Sequence, residues 1–185
     1  MTDPYVRSAH TGDGHDLGAA HARAWHDAYT GVLPAAALES ATPQALAAEW
    51  EDAAVAPPSP RHRVLVACDD DGIGGFAALV PGSDEDLDPE RIGELAILVV
   101  DPDRQRRGHG SRLVAATVAH ARDDGVDTLV TWVLEQDKPL YDFLLGSGWA
   151  RDGATRELWA DEAGVVVIRQ IRLHTAVAEA TSRTR

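Results

Sequence analysis

Two features of the chain could take part in chemistry: a carboxylate at the start of an apolar run, and a loop with two glycines after that run. Glu94 precedes the unbroken apolar residues 95–100, and Gly108 and Gly110 follow shortly afterwards. Partial burial raises the pKa of a carboxyl group toward neutrality, where it can act as a general base. Glycines let a backbone approach an anionic ligand closely. A proton acceptor and an anion site are therefore expected at the two ends of one segment.

The elements that must position these residues are a strand before the loop and a helix after it. The run at 95–100 is rich in branched residues, which is typical of a strand buried on both faces. Pro102 cannot continue a β-ladder, so the strand should end just before it. From Ser111 onward, apolar residues recur at helical spacing. A helix N-terminus offers unpaired N–H groups, and Arg106 and Arg107 add positive charge, so the pattern favours a phosphate site.

The glycine loop has other interpretations. A plain strand-to-helix turn with solvated arginines could also contain Gly-x-Gly, which is a weak signal by itself. A Walker loop requires Gly-Lys before Ser or Thr, and the chain contains no Gly-Lys pair. The dinucleotide fingerprint requires a third glycine three residues after Gly110, where Leu113 stands. The plain turn stays open as an alternative, whereas the two nucleotide motifs fit poorly.

Loop, strand and helix together resemble the acyl-CoA loop of the GNAT superfamily of N-acyltransferases. That motif has Gln or Arg, two residues, Gly, one residue, then Gly or Ala, and Gln105, Gly108 and Gly110 match it. The resemblance implies that acetyl-CoA is the co-substrate, with its pyrophosphate on the loop and its pantetheine arm along the strand. The loop residues are Gln105, Arg106, Arg107, Gly108, His109, Gly110 and Ser111, and the strand residues are Leu98, Val99 and Val100.

The resemblance also implies catalytic roles. Acyl transfer to an amine needs a base, donors to the oxyanion and a proton for the thiolate. Many family members carry a glutamate at the place of Glu94 that acts as base, often through water. The alternative is a solvated charge at a strand end. The oxyanion donor would be the backbone N–H of Val99 or Val100.

A later motif of the family is incomplete in this chain. It reads Asn, two residues, Ala, two residues, Phe-Tyr, three residues, then Gly-Phe or Gly-Trp, and Phe143 and Trp149 match its aromatic positions. Leu144 stands where the tyrosine would be, and leucine cannot donate a proton. Tyr141 lies about one helical turn earlier and either replaces that acid or packs against the protein. Asp137 takes the place of the asparagine and either contacts CoA or substrate, or caps the short helix.

The segment at 25–34 resembles the family's helix and turn beside the acceptor site, often Trp-x-x-Ala-Tyr-x-Gly-x-x-Pro. Aromatic side chains there would shape a substrate pocket. Within it, Trp25 is expected mainly in the core, and Tyr29 or His26 is expected to face the substrate.

Composition and charge argue against several classes of protein. The formal net charge of −13 disfavours nucleic-acid binding, which depends on Lys and Arg. No apolar run approaches the ~20 residues that span a bilayer, and the N-terminus lacks a signal-peptide pattern, so a cytoplasmic protein without a membrane partner is expected. Cys68 is the single cysteine, so no internal disulfide is expected. The histidines form no His-x-x-x-His pair with a matching carboxylate, so no metal is expected.

Patterns along the chain predict a mixed α+β fold. The predicted elements are a strand at 5–7, helices at 13–29 and 42–54, strands at 63–69 and 73–80, the strand and helix around the glycine loop, a strand at 128–134, a short helix at 140–145 and two strands within 157–173. The resemblance implies a mostly antiparallel sheet of six to seven strands with about four helices and two splayed parallel strands. One domain is expected over residues 1–185, with its core at 5–173 and a frayed tail at 175–185.

The sequence therefore predicts an acetyl-CoA-dependent N-acetyltransferase that acts on a primary amine of a small molecule, peptide or protein, as a monomer or homodimer. Three alternatives stay open. One is a catalytically weak module that binds acyl-CoA as a sensor, which Leu144 supports. Another is an N-acyltransferase for longer acyl chains. A nucleotide-binding regulator is a third and more distant alternative.

Overall fold

The computed structural model describes residues 4–159 and 167–177. In chain order its elements are β1 (Tyr5–Ser8), α1 (Gly14–Tyr29), α2 (Ala35–Ser40), α3 (Pro43–Val55), β2 (Arg63–Asp69), β3 (Gly72–Pro81), β4 (Ile92–Val100), a 3-10 turn (Pro102–Arg104), α4 (His109–Asp123), β5 (Thr128–Leu134), α5 (Lys138–Gly146), β6 (Ala150–Trp159) and β7 (Val167–Ala176).

The strands form one seven-stranded sheet in the order β1-β2-β3-β4-β5-β7-β6. Among the strands of the described residues, only β4 and β5 run parallel, and every other neighbouring pair is antiparallel. Helices α4 and α5 cover one face, which we call the α4 face, around Leu79, Leu95 and Leu129. Helices α1 and α3 cover part of the other, the α1 face, around Phe76 and Val99. This mixed sheet with flanking helices confirms the predicted fold class.

The parallel pair β4 and β5 separates after three residue pairs. Residues 92–94 of β4 pair with 128–130 of β5, although both strands continue beyond that point. At the point of separation the Thr131 hydroxyl donates to the carbonyl oxygen of Leu95 at 2.7 Å. A register shift between β3 and β4 leaves Ala96 without a partner, as in a β-bulge, which bends a strand. A gap therefore opens between the two strands toward their carboxyl ends, which confirms the predicted splay.

Two details of the predicted elements differ from the structure. The described residues contain a fifth α-helix, the short α2, because the run Ala-Ala-Ala-Leu-Glu-Ser has high helix propensity and buries Leu38. Strand β6 also begins at Ala150, earlier than the sequence indicates.

The tail predicted to fray from residue 175 is partly ordered. Thr175 and Ala176 pair with Leu129 and Thr128 within the sheet, and Val177 is buried. The prediction is therefore wrong for 175–177, because these residues still have a strand to pair with. Residues 178–185 and the turn predicted at 161–164 lie outside the described part of the chain.

The loop between β3 and β4 is fixed to the far half of the sheet by Arg172 of β7. The Arg172 side chain is 7% exposed and pairs with Asp84 at 2.9 Å, Asp86 at 2.5 Å and Asp152 at 2.6 Å. Trp132 of β5 donates from its indole Nε1 to Asp84 at 3.0 Å. The loop thus lies against the α1 face beside the gap, over β5 and β7.

Replacing Arg172 with methionine is expected to destabilise the protein. The change leaves partly buried carboxylates without their cation, which should lower the free energy of unfolding by about 2–3 kcal/mol. Urea unfolding measures this. The control is Arg169→Met on the same strand, whose half-exposed ion pairs with Glu135 and Glu157 should be worth less than about 1 kcal/mol. Equal losses in the two variants would show that Arg172 is not the anchor.

Candidate active site

Glu94 lies on β4 at the last residue pair before the gap. Its cross-strand partners are Val80 on β3 and Val130 on β5. The residue is 9% exposed. The Ser83 hydroxyl donates to its Oε2 atom at 3.1 Å. Glu94 is therefore a buried carboxylate with one hydroxyl donor, and not the solvated strand end that was the alternative.

The surroundings of Glu94 raise the pKa of its carboxyl group. Burial is the largest cause, since it disfavours the charged form. The Ser83 hydroxyl opposes this shift, the charge of Asp84 adds to it, and the charge of Arg156 opposes it. A carboxyl group with a pKa above its ordinary range is suited to accept a proton near neutral pH.

The glycine loop presents a row of backbone N–H groups at the start of α4. Arg106 and Gly108 have left-handed backbone conformations, with φ of 64° and 82°. Gly108 is the N-cap of α4, and no side chain caps this end. Within the described chain, the backbone N–H groups of residues 106–111 donate no hydrogen bond. Unpaired amides at a helix N-terminus can bind an anion, which is the role that the sequence predicts for this loop.

Asp69, at the end of β2, anchors this loop from inside the protein. Its carboxylate accepts from Arg104 at 3.0 Å and from His109 Nε2 at 3.1 Å. Gly74 makes room for the imidazole, because a Cβ there would lie 2.4 Å from Nε2. Burial opposes ionisation of Asp69, but the Asp71 amide and the Arg104 guanidinium outweigh it and lower the pKa.

The predicted loop residues fall into two groups. Gln105, Arg106 and Arg107 are exposed, and Arg107 pairs with Asp71 at 3.0 Å. His109 is 1% exposed, so its side chain belongs to the interior and only its backbone can serve the loop surface. A Cβ on Gly110 would meet Phe143 at 3.3 Å, so this glycine allows α4 to pack against α5.

The β4 edge that faces the gap is formed by alternate residues. The Asp101 N–H donates to the Gly74 carbonyl on β3, and in an antiparallel ladder residues alternate between the two edges. Val99 therefore turns its N–H and C=O toward β3, while Leu98 and Val100 turn theirs toward the gap. Of the two expected oxyanion donors, Val100 faces the gap and Val99 does not.

Helix α5 brings Asp137 to the mouth of the gap. The Asp137 Oδ1 atom accepts from the Leu140 amide at 3.1 Å, so this residue is the N-cap of α5. Its Oδ2 atom accepts from the Tyr29 hydroxyl at 2.8 Å. Leu144 is 1% exposed in the core, and Tyr141 is partly buried against the same core cluster.

The aromatic residues of α1 take different positions. Trp25 is partly buried and packs edge-on against Tyr29, with ring centroids 5.9 Å apart, while His26 is exposed. Burial raises the pKa of Tyr29, and Asp137 adds to this, so the hydroxyl stays protonated as a donor. One turn before Trp25, His21 accepts from Trp50 Nε1 at 3.0 Å, and burial lowers the pKa of His21 to about 4.

Glu94, the free edge of β4 and the glycine loop follow one another along the gap. Val100 lies six positions after Glu94, which is roughly 20 Å of strand. Asp137 and Tyr29 join α5 to α1. Sequence reasoning missed Ser83, Asp69 and Arg172, since each looks like an ordinary loop or strand residue. The only signal was position: Asp69 precedes the predicted hairpin turn.

Neither a membrane-spanning helix nor a metal-binding cluster is present in the described residues. Among residues 4–159 and 167–177, no helix is long and apolar enough to cross a membrane. The same residues contain no group of three or more His, Cys, Asp or Glu side chains that could hold a metal ion.

Comparison with known proteins agrees with this geometry. Residues 22–148 match the sequence model of the family described as the Acetyltransferase (GNAT) family. The chain is 28% identical over 133 residues to the uncharacterized N-acetyltransferase YuaI of Bacillus subtilis (strain 168), covering 71% of this chain and 72% of that protein.

Solved structures share the fold at low sequence identity. The PaiA N-acetyltransferase of Thermoplasma acidophilum, solved with coenzyme A, has a TM-score of 0.71 at 16% identity, covering 95% of this chain and 99% of that chain. The yncA acetyltransferase of Salmonella typhimurium, solved with acetyl-CoA, has a TM-score of 0.69 at 16% identity, covering 99% of both chains.

Replacing Asp69 with asparagine is expected to weaken CoA binding about tenfold, which corresponds to ~1.4 kcal/mol. The amide loses two charge-assisted contacts that hold the loop, although it contacts no ligand itself. Isothermal titration with CoA measures the effect. Asp127→Asn, which breaks an exposed pair with Arg91 far from the loop, is the control. Unchanged CoA affinity in a folded Asp69→Asn variant would contradict the anchoring role.

Proposed function

The chain belongs to the GNAT acetyltransferase family, N-acetyltransferases that use acetyl-CoA as co-substrate, and on this basis we propose that it acetylates the primary amine of a small molecule or peptide. The observation that carries the proposal is the gap between β4 and β5. At one end of the gap lie the unpaired amides at the N-terminus of α4, and at the other lies Glu94, a buried carboxylate with a raised pKa.

The residues along the gap have complementary tasks in binding acetyl-CoA. The amides of residues 106–111 hold the pyrophosphate, and the side chains of Arg106 and Arg107 add positive charge. Leu98 and Val100 offer N–H and C=O groups to the pantetheine arm, as an added strand would use them. A cleft of about 360 Å³ along α4 begins at Ser111 and has room for the adenosine end.

The chemistry follows from the same geometry. Acetyl-CoA supplies an activated thioester. Glu94 accepts the proton of the acceptor amine as the new C–N bond forms, directly or through water. Val100 lies roughly 20 Å of strand from Glu94, which is too far to stabilise the oxyanion of the same reaction, so its N–H serves the pantetheine arm. Collapse of the tetrahedral intermediate breaks the C–S bond, and the CoA thiolate takes a proton from water. Tyr29 stays protonated and fixes the end of α5 beside the site.

One observation keeps an acyl-CoA sensor as the second candidate function. Leu144 occupies the place of the family's tyrosine and is buried in the core, so no acid stands there. A sensor would bind acetyl-CoA without consuming it. Release of free CoA with any amine would exclude the sensor.

The proposal is tested by the pH dependence of acetylation. Glu94→Gln is expected to lower kcat/KM at least about 10²-fold and to flatten the acidic limb of the pH profile. Ser83→Ala removes a hydrogen bond that lowers the Glu94 pKa, so the acidic limb should move to higher pH. Rates are read from released CoA thiol. An unaltered profile in Glu94→Gln would place the base elsewhere.

Stability serves as the control for Glu94→Gln. Because the folded pKa of Glu94 is raised above its unfolded value, its favourable contribution exists at low pH and is lost as pH rises through the folded pKa. At neutral pH the ionised group therefore lowers stability. The glutamine variant should melt no lower than the parent protein at pH 7, and its affinity for CoA should be unchanged within about twofold.

Tyr141 is the remaining acid candidate, and we expect it to act by packing. It packs against the core cluster beside Leu140 and Phe143. Tyr141→Phe keeps the ring, so turnover should change by less than about threefold, well under 1.36 kcal/mol. Measurement of kcat and melting temperature checks this. A loss near 10²-fold in a variant of normal stability would instead assign Tyr141 as the acid.

A further inference from the structure

We propose that the acceptor is an amine with an apolar body, which lies in a cleft on the α1 face next to Glu94; this inference rests on the proposed function. The cleft has a volume of about 240 Å³ and lies between α3 and the strands β2, β3 and β4. Its walls include Trp50 and Ala53 of α3, and Val64, Ala78, Val80 and Ala96 of the sheet.

The register of the sheet places Glu94 at the end of this cleft. Val80 lines the cleft and is the direct cross-strand partner of Glu94, so both side chains are on the same face. Ala96, which the register leaves unpaired, lies two residues after Glu94 and also lines the cleft. An amine at Glu94 therefore has the cleft directly beside it.

The opposite side of Glu94 is closed by charged and hydrogen-bonded groups. Ser83 donates to Glu94, and the next residue, Asp84, is held by Trp132 and Arg172. The Arg156 guanidinium stacks over Trp132 at 4.2 Å. Since the loop occupies this side, the body of the acceptor finds room toward α3.

The chemistry of the walls selects the kind of body that fits. Nearly all of the surface inside the cleft is carbon. Two polar residues complete the lining, and both are engaged: His62 contacts the Ser59 hydroxyl at 2.8 Å and Arg63 pairs with Asp124. The lining offers no carboxylate to a second ammonium group. At roughly 30 Å³ per non-hydrogen atom, the volume accommodates about eight such atoms.

Three amines test this inference with the intact protein and acetyl-CoA: ethylamine, hexylamine and 1,6-diaminohexane. Hexylamine is expected to exceed ethylamine in kcat/KM by at least about a hundredfold, because its chain is buried. It should exceed 1,6-diaminohexane at least about tenfold, since the diamine would have to desolvate a second charge. CoA release and product mass give the rates.

Variants of α3 test whether the cleft sets the preference for hexylamine over ethylamine. Ala53→Leu narrows the cleft and should reduce the hexylamine-to-ethylamine ratio at least about tenfold. Ala48→Leu, at an exposed position of the same helix, is the matched control and should leave the ratio unchanged. If Ala53→Leu does not fold, Ala96→Val narrows the cleft from the sheet side and serves the same purpose.

The outcomes separate this inference from the proposed function. Acetylation of the diamine at least as fast as hexylamine would overturn the apolar acceptor but not the acetyltransferase. A change in preference between hexanoyl-CoA and acetyl-CoA in Ala53→Leu, with the amine ratio unchanged, would mean that the cleft holds an acyl chain and would overturn the inference. Binding of CoA without acetylation of any amine, including lysine peptides, would overturn the proposed function itself.

Discussion

The structure depends on one constraint: β4 pairs with β3 along its length but with β5 for only three residues. A strand inside a sheet normally has both edges satisfied, and an unpaired edge is a template for another chain. Here the bulge at Ala96 and the Thr131 hydroxyl bond to Leu95 mark where the second edge becomes free. The buried carboxylate stands just before that point, and the glycine loop that we propose as the anion site follows the end of the strand. Both sites are therefore consequences of where the sheet separates.

Ion pairs at strand ends hold the two loops that border the gap. Asp69 fixes the glycine loop through Arg104 and His109, and Arg172 fixes the β3–β4 loop through three carboxylates. Exposed pairs contribute little to stability, but apart from Asp86 these pairs involve side chains that are largely withdrawn from water. In an acidic chain with few cations, the arginines are thus used to order the loops around the site as well as to supply charge to it.

The sequence predicted the elements whose patterns are local and strong. The apolar run before Pro102, the Thr-Pro start of α3 and the hairpin at 70–72 all appear where expected, because each depends on neighbouring residues. The capping role of Asp137 was one of two stated alternatives, and its bond to Tyr29, 108 residues away, could not be predicted. Asp69, Ser83 and Arg172 were missed for the same reason. Their roles arise from contacts between distant segments, and nothing in their immediate neighbours distinguishes them.

His21 has a consequence for how the site responds to acidity. Its imidazole accepts from the Trp50 indole, and its pKa of about 4 lies below the raised pKa of Glu94. Burial lowers the pKa of His21 and raises that of Glu94, so on acidification the carboxyl group gains its proton before the ring that orients Trp50 does. Trp50 is a wall of the apolar cleft, so the charge at Glu94 is lost before protonation of His21 can disturb the hydrogen bond that orients this wall. A change in pH can switch the proton acceptor on or off without remodelling the surface that recognises the acceptor molecule.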